Sequence, residues 1–150
     1  MPKILVIGIG NEYRGDDGVG VFVVRELAKA RIPAVEVIEE SGEGTALVEA
    51  WKDAESVFII DAVCSGSSVG AIHEFDVSTE PIPTGTFHYS SHAFGLAEAI
   101  ELSRAMNQLP SHIVVYGIEG LNFEYGVDLT PEVERAARLV VDMLSLKLRG

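Results

Sequence analysis

Two acidic residues follow a glycine-rich turn near the start of the chain, at a point where a helix is expected to begin. The segment Gly8 to Gly20 reads GIGNEYRGDDGVG, and it places Asp16 and Asp17 shortly after an apolar run that is typical of a buried strand. A glycine-rich turn between a strand and a helix normally leaves the helix N-terminus free to bind an anion. Because this chain puts its own carboxylates there, the pattern favours a cation.

Two more polar residues are expected at the same edge of the predicted sheet. Asp61 follows the apolar run VFII, and His92 comes after a predicted loop over residues 76–91. Ligands of open α/β sheets bind outside the carboxyl ends of the strands, so Asp17, Asp61 and His92 converge if the first and third strands are neighbours. Two carboxylates and one imidazole suit a borderline divalent metal better than calcium, which takes about six to eight oxygens. A helix N-terminus at His92 would keep its imidazole neutral and able to bind metal.

Each of these residues also has a structural interpretation. Asp17 could be a helix N-cap or a first-turn acid, although Asp16 is better placed for the cap. His92 alone could cap a helix, whereas Asp61 at the edge of an apolar strand would be costly unless it is paired or bound. Cys64 is expected to be a small buried hydrophobe rather than a ligand. The other three histidines are interpreted as structural: His73, His88 and His112.

Length, charge and cysteine content exclude several classes of protein. The 150 residues, 47% of them hydrophobic, fit a single domain over residues 1–150. Eleven Lys and Arg against 23 Asp and Glu give a net charge of -12, which disfavours nucleic acid and anionic membrane surfaces as partners. One cysteine permits neither an internal disulfide nor a multi-cysteine metal site. No apolar stretch approaches the roughly 18 residues of a membrane span, so we expect a soluble cytoplasmic protein. We also expect the protein to be a monomer.

Hydrophobic periodicity predicts alternating strands and helices. Nearly continuous apolar strands are typical of a largely parallel sheet covered on both faces, so we predict an α/β fold, a three-layer α/β/α sandwich with a mostly parallel sheet of about five strands. The strands are predicted over Lys3–Ile9, Ala34–Ile38, Ser56–Ile60, Ala71–Phe75 and His112–Ile118. The helices are predicted over Val19–Ala30, Thr45–Lys52, His92–Met106 (capped by Ser91) and from Thr130-Pro131-Glu132 to Leu148.

Two other functions compete for the same motif. Dinucleotide binding is disfavoured because Tyr13 replaces the third glycine of the fingerprint and the adjacent acids would repel a pyrophosphate. A magnesium-dependent phospho-accepting signalling domain would use an acidic pair and a strand-end Asp in a similar way. That domain would want a lysine after the fifth strand, where this chain reads Gly-Ile-Glu-Gly, and it leaves His92 without a role.

Four motifs together resemble the nickel-iron hydrogenase maturation endopeptidases. They occur in order along nearly the whole chain: GIGNEYRGDDGVG at Gly8 to Gly20, IIDAV at Ile59 to Val63, SSHAFGL at Ser90 to Leu96, and LTPEVE at Leu129 to Glu134. One departure is the turn Ser41-Gly42-Glu43-Gly44-Thr45, where family members often carry a glycine pair before the threonine.

The resemblance implies a protease that recognises nickel in the precursor of a hydrogenase large subunit and removes the C-terminal extension of that precursor. It implies that Asp17, Asp61 and His92 contact the metal and serve as the catalytic set. Nickel would arrive with the substrate, and a surrogate divalent ion such as cadmium or zinc could occupy the same ligands. A non-catalytic metal-binding chaperone or sensor of the same fold remains an alternative.

Overall fold

Branched aliphatic runs form the strands, and segments with helical periodicity form the helices between them. The computed structural model describes residues 3–83 and 94–150. The strands are β1 (Ile4–Ile9), β2 (Val35–Glu40), β3 (Ser56–Val63), β4 (Ile72–Asp76) and β5 (His112–Glu119). The helices are α1 (Val19–Lys29), α2 (Gly44–Trp51), α3 (Leu96–Ala105) and α4 (Pro131–Arg149), and a short 3-10 turn covers Gly15–Gly18.

Within the described residues the strands form one sheet in the order β2-β1-β3-β5-β4. The first four strands in this spatial order are parallel, namely β2, β1, β3 and β5. The last strand, β4, pairs antiparallel with β5 at the edge of the sheet. The predicted α/β fold with a mostly parallel five-stranded sheet is therefore confirmed. The order also makes β1 and β3 neighbours, with Gly8 of β1 level with Ile60 of β3. The residues that follow β1 and those near the end of β3 therefore lie at the same edge.

Two layers of helices cover the sheet, as the three-layer prediction requires. On one face α1 and α4 pack together over a cluster that includes Val23, Tyr116 and Val140. On the other face α2 and α3 pack over a cluster that includes Trp51 and Ile100. The indole N–H of Trp51 donates to the hydroxyl of Ser103 at 3.0 Å, so these two buried polar groups are paired with each other.

Two predicted boundaries near the site are wrong. Asp61 does not end its strand, because the pairing of β3 with β5 continues to Val63 and places Asp61 opposite Gly117. Helix α3 begins at Leu96 instead of His92, because Gly95 has an extended backbone and its N–H donates to the Glu98 carboxylate at 2.8 Å. Ser91, the predicted cap, lies outside the described residues.

No helix within residues 3–83 and 94–150 is both long enough and apolar enough to cross a bilayer.

Candidate active site

Glycines allow the 3-10 turn and the start of α1 to lie directly on the carboxyl ends of β1 and β3. A side chain at Gly10 would collide with the backbone oxygen of Asp17, and one at Gly20 would collide with the backbone oxygens of Ile9 and Ile60. Gly10 also has a φ of 140°, a conformation that side chains disfavour. The glycines of the first motif therefore position the acids against the strand ends.

Asp17 is partly buried and has few hydrogen-bond partners among the described residues. Its Oδ2 accepts a hydrogen bond from the N–H of Asn11 at 3.0 Å. Burial raises the pKa of Asp17, while the Asn11 N–H and the positive charge of Arg14 act in the opposite direction without cancelling that effect. Within residues 3–83 and 94–150, the carboxylate thus keeps unused acceptor capacity at the edge of the sheet.

Asp61 reaches this edge from β3. Its Oδ1 accepts a hydrogen bond from the N–H of the next residue, Ala62, at 2.8 Å. Burial raises the pKa of Asp61 well above the usual value of an aspartate, and the negative charge of Asp17 raises it further. The structure therefore brings Asp17 and Asp61 close enough for the charge of one to oppose ionisation of the other.

This pair has the chemistry of a cation site. Two carboxylates that oppose each other's ionisation become mutually compatible when a divalent cation lies between them. Among the residues that the structure describes, no group of three or more His, Cys, Asp or Glu side chains is arranged to hold a metal ion. Asp17 and Asp61 thus supply two donors, and a complete site needs a third.

The predicted third donor, His92, lies outside the described residues, as does His88. The described chain resumes at Phe94, whose carbonyl oxygen accepts the N–H of Gly44 at 2.7 Å. The Phe94 ring lies against Gly44, in space that any larger side chain there would occupy. Because α2 begins after the carboxyl end of β2, this contact places the residue two positions after His92 at the expected edge of the sheet. The metal-binding role of His92 stays a prediction.

Asp16 has a role that the motif did not reveal. Its carboxylate is fully buried and accepts hydrogen bonds from the backbone N–H groups of Leu121, Asn122 and Thr130 and from the Thr130 hydroxyl, at 2.7–3.0 Å. It makes no side-chain cap, so the N-cap interpretation is wrong. Asp16 instead links two parts of the chain by hydrogen bonds: the 3-10 turn that contains Asp17, and the segment that precedes α4. Adjacent side chains on a 3-10 turn point about 120° apart, and this divergence was the available signal that neighbouring acids have different roles.

Glu119 at the end of β5 is a second buried acid that sequence reasoning missed. It accepts hydrogen bonds from the N–H and hydroxyl of Ser65 at 2.8 and 2.6 Å, and from the Gly66 N–H at 3.3 Å. The ring Nε2 of His73 lies 3.2 Å away. Burial acts to raise the pKa of Glu119, but the bonds from Ser65, His73 and Gly66 together lower it. Glu119 therefore holds the loop that follows β3.

The structure also describes two of the remaining histidines, the single cysteine and the turn before α2. His73 pairs with Glu119, and His112 meets the Phe58 ring edge-on at 5.6 Å, which agrees with structural roles. Cys64 is a free thiol that is only partly buried, so the expectation of a buried hydrophobe is wrong. In the divergent turn before α2, the Glu43 carboxylate accepts the N–H groups of Thr45 and Ala46 and caps the helix.

Sequence comparisons agree with the resemblance carried by the motifs. A family model described as hydrogenase maturation protease matches residues 21–146. The hydrogenase expression/formation protein HupD of Bradyrhizobium diazoefficiens is 30% identical over 94% of this chain and 75% of its own length. The hydrogenase 2 maturation protease of Escherichia coli K12 is 26% identical over 98% of this chain and 91% of its own length. The chain spans 66% of the length of HupD from Thiocapsa roseopersicina.

Solved structures share the fold. The hydrogenase maturating endopeptidase HybD from E. coli matches with a TM-score of 0.77 at 22% identity, over 98% of this chain and 92% of that protein. The hydrogenase maturation protease HycI from Thermococcus kodakarensis also has a TM-score of 0.77, at 24% identity, over 99% and 93% of the two chains.

Proposed function

Because the chain belongs to the hydrogenase maturation protease family, we propose that it is an endopeptidase that removes the C-terminal extension from a nickel-loaded hydrogenase large-subunit precursor. The observation that carries this proposal is the pair Asp17 and Asp61 at the carboxyl edge of the sheet. The family match does not support a phospho-accepting domain or a non-catalytic metal chaperone.

Nickel is part of the substrate in this proposal. Asp17 and Asp61 bind the precursor's nickel through carboxylate oxygens, and His92 is the proposed third ligand. A metal ion held in this way polarises the scissile carbonyl or lowers the pKa of a bound water. The enzyme is then a nickel-dependent metallo-type peptidase whose own residues form only part of the catalytic centre. It cuts only precursors that already carry the metal.

The electrostatics of the pair favour substrates that bring a cation. Without metal, ionisation of both acids is opposed by burial and by their mutual repulsion. Binding of a divalent ion shifts both toward the ionised form and releases protons. Carboxylate and imidazole ligands accept several divalent ions, so cadmium or zinc can occupy the same three ligands without being the natural ion.

The direct test incubates the purified protein with nickel-loaded and nickel-free precursor and follows the C-terminal peptide by mass spectrometry. We expect release from the nickel-loaded precursor alone. Equal release from both would refute nickel recognition, and binding without release would support a metal chaperone instead of a protease.

Variants test the ligand set. We expect Asp61→Asn and His92→Gln to abolish release while the proteins stay folded by circular dichroism. Two matched controls lie elsewhere. Asp142→Asn changes an exposed position of α4, and His112→Gln changes the start of β5, far from the carboxyl edge. Full activity in a folded His92→Gln protein would remove His92 from the mechanism.

We further infer that the protein works as a cytoplasmic monomer. Sedimentation at the concentrations used for the cleavage assay tests the oligomeric state, and fractionation of the source cells tests the location.

A further inference from the structure

A single apolar groove lies where the amino end of β2 meets α1 and α4. It has a volume of about 210 Å³, and its walls include Leu27, Ala28, Arg31, Val35, Val37 and Leu148. Pockets for drug-sized ligands measure about 300–1,000 Å³, so this one suits a single apolar side chain. We call it the β2 groove.

The outer edge of β2 carries backbone groups that are not paired. β2 is the terminal strand of the sheet, next to β1. The carbonyl of Glu40 faces inward, since it accepts the N–H of Gly10 at 3.0 Å. Backbone groups of successive strand residues point to opposite sides, so those of Val37 and Glu39 face outward. Within residues 3–83 and 94–150 these outward groups have no hydrogen-bond partner, and such an edge can pair with an added extended chain.

Two arginines at the groove lack an acidic partner. Arg31 lines the groove, and the guanidinium of Arg149 donates to the carbonyl of the adjacent Ala30 at 3.1 Å. In the described part of the chain, neither arginine forms an ion pair with a carboxylate. Arg25 on the same layer, by contrast, pairs with two glutamates. In a chain with a net charge of -12, two unpaired cations beside a groove favour an anionic group there.

β2 connects this groove with the candidate active site. At its carboxyl end, Glu40 bonds to Gly10 in the turn that leads to Asp17, whereas Val35 at its amino end lines the groove. The strand has 6 residues and therefore spans roughly 20 Å, at about 3.3 Å per residue. An extended chain that leaves the acid pair along the outer edge of β2 reaches the groove after about six residues.

We propose that β2 binds the C-terminal extension of the precursor as an added antiparallel strand, with an apolar side chain of the extension in the β2 groove and its terminal carboxylate beside Arg31 and Arg149. This inference rests on the proposed function, because the extension begins at the scissile bond and ends in a free carboxylate. Backbone pairing supplies affinity in this mode of recognition, and the groove and the arginines supply specificity.

Three variants remove one part of this surface each. Val37→Pro removes an outward N–H that makes no bond to β1, which edge strands tolerate. Ala28→Phe fills the groove, and Arg31→Gln removes a cation. Arg135→Gln on α4 is the charge-matched control, since Arg135 is exposed and its nearest carboxylate oxygen is 3.9 Å away on Glu132.

The test measures binding and cleavage separately. Nickel-free precursor with its whole extension, and the same precursor with an extension of about four residues, too short to reach the groove, are titrated against each protein. We expect the three variants to bind the whole precursor about tenfold more weakly than wild type and Arg135→Gln do. All folded proteins should bind the shortened precursor within about twofold of one another. Cleavage of nickel-loaded whole precursor should show a matching rise in KM, with kcat within about twofold of wild type.

Circular dichroism establishes that each variant is folded, and if Val37→Pro is not, Ala28→Phe and Arg31→Gln decide the outcome. The docking of the extension is refuted, even when cleavage occurs, if wild type binds the whole and shortened precursors equally or binds neither. It is also refuted if folded Ala28→Phe and Arg31→Gln bind the whole precursor as tightly as Arg135→Gln does. If binding follows the expected order but nickel-loaded precursor is not cut, the docking stands and the proposed protease function fails.

Discussion

Four of the carboxylates around the carboxyl edge of the sheet form two groups with different surroundings. Asp16 and Glu119 are almost completely buried, and each accepts several hydrogen bonds from backbone and side-chain donors. Asp17 and Asp61 each accept one backbone N–H within the described chain, and burial raises the pKa of both. A buried acid that is fully bonded stabilises the fold as an anion, whereas one that is poorly bonded stays available to a ligand.

The largest effect is expected when a poorly bonded acid is changed. Asp61→Asn should lower peptide release from nickel-loaded precursor by roughly 1,000-fold, because the loss of a metal ligand removes several kcal/mol of transition-state stabilisation. Single-turnover cleavage followed by mass spectrometry measures the loss. A decrease no larger than that of Asp142→Asn would place Asp61 with the structural acids.

A large effect on stability is expected for the best-bonded acid. Asp16→Asn should lower the free energy of unfolding by about 3 kcal/mol, because the amide keeps one acceptor oxygen and turns an N–H donor toward the backbone donors that Asp16 accepts. Urea denaturation of the metal-free protein measures it. A loss below about 0.5 kcal/mol would mean that the four bonds contribute little.

Glu119→Gln should have a smaller effect of the same sign, about 1–2 kcal/mol. Its glutamine oxygen can still accept from Ser65, and the weaker bond to Gly66 at 3.3 Å has less to lose. The same urea titration compares Glu119→Gln with Asp16→Asn. If Glu119→Gln proved the more damaging, the bonds to the loop after β3 would outweigh those to the segment before α4.

The smallest effect concerns pH and has opposite signs for Asp61 and Glu119. The folded protein raises the pKa of Asp61, so between the unfolded value near 4 and the raised value the native state binds more protons, and this contribution to stability falls as pH rises. The lowered pKa of Glu119 contributes stability that is present at neutral pH and lost as pH falls through its folded value.

Thermal or urea unfolding in the presence of a chelator, repeated across pH, separates these contributions. Metal-free Asp61→Asn should be more stable than wild type at pH 7, because asparagine carries no charge for burial and Asp17 to oppose. The difference should shrink toward pH 4. A less stable Asp61→Asn protein at pH 7 would show that the Asp61 carboxylate is well solvated.

Much of the fold was predictable because its signals are local. Apolar runs indicated the strands β1, β3 and β5, β-branched residues indicated β2, and a more polar segment indicated β4. Thr130-Pro131-Glu132 indicated the start of α4, which begins at Pro131. The end of β3 was not predictable, because whether Asp61 still pairs depends on β5, a strand about 50 residues later. The start of α3 was predicted too early because serine is a common N-cap residue, which favoured Ser91. The observed start depends on the hydrogen bond from the Gly95 N–H to the Glu98 carboxylate, which residue type alone does not reveal.

The candidate site was predictable where residue type and strand order sufficed. Asp17 and Asp61 could be brought together by assuming that the first and third strands are neighbours, and the structure confirms that order. The four donors to Asp16 could not be predicted, because three of them are backbone groups that any residue type would carry. The same reason applies to Glu119, because two of its donors are the backbone N–H groups of Ser65 and Gly66.

The bonds of Asp16 also bear on the order of folding. They join residues that are 105, 106 and 114 positions apart, so they close large loops whose entropy must be lost before the bonds form. The turn between β1 and α1 is therefore held in place only once the segment before α4 has docked on it. The position of Asp17 beside β3 thus depends on contacts between distant parts of the chain as well as on the glycine-rich motif itself.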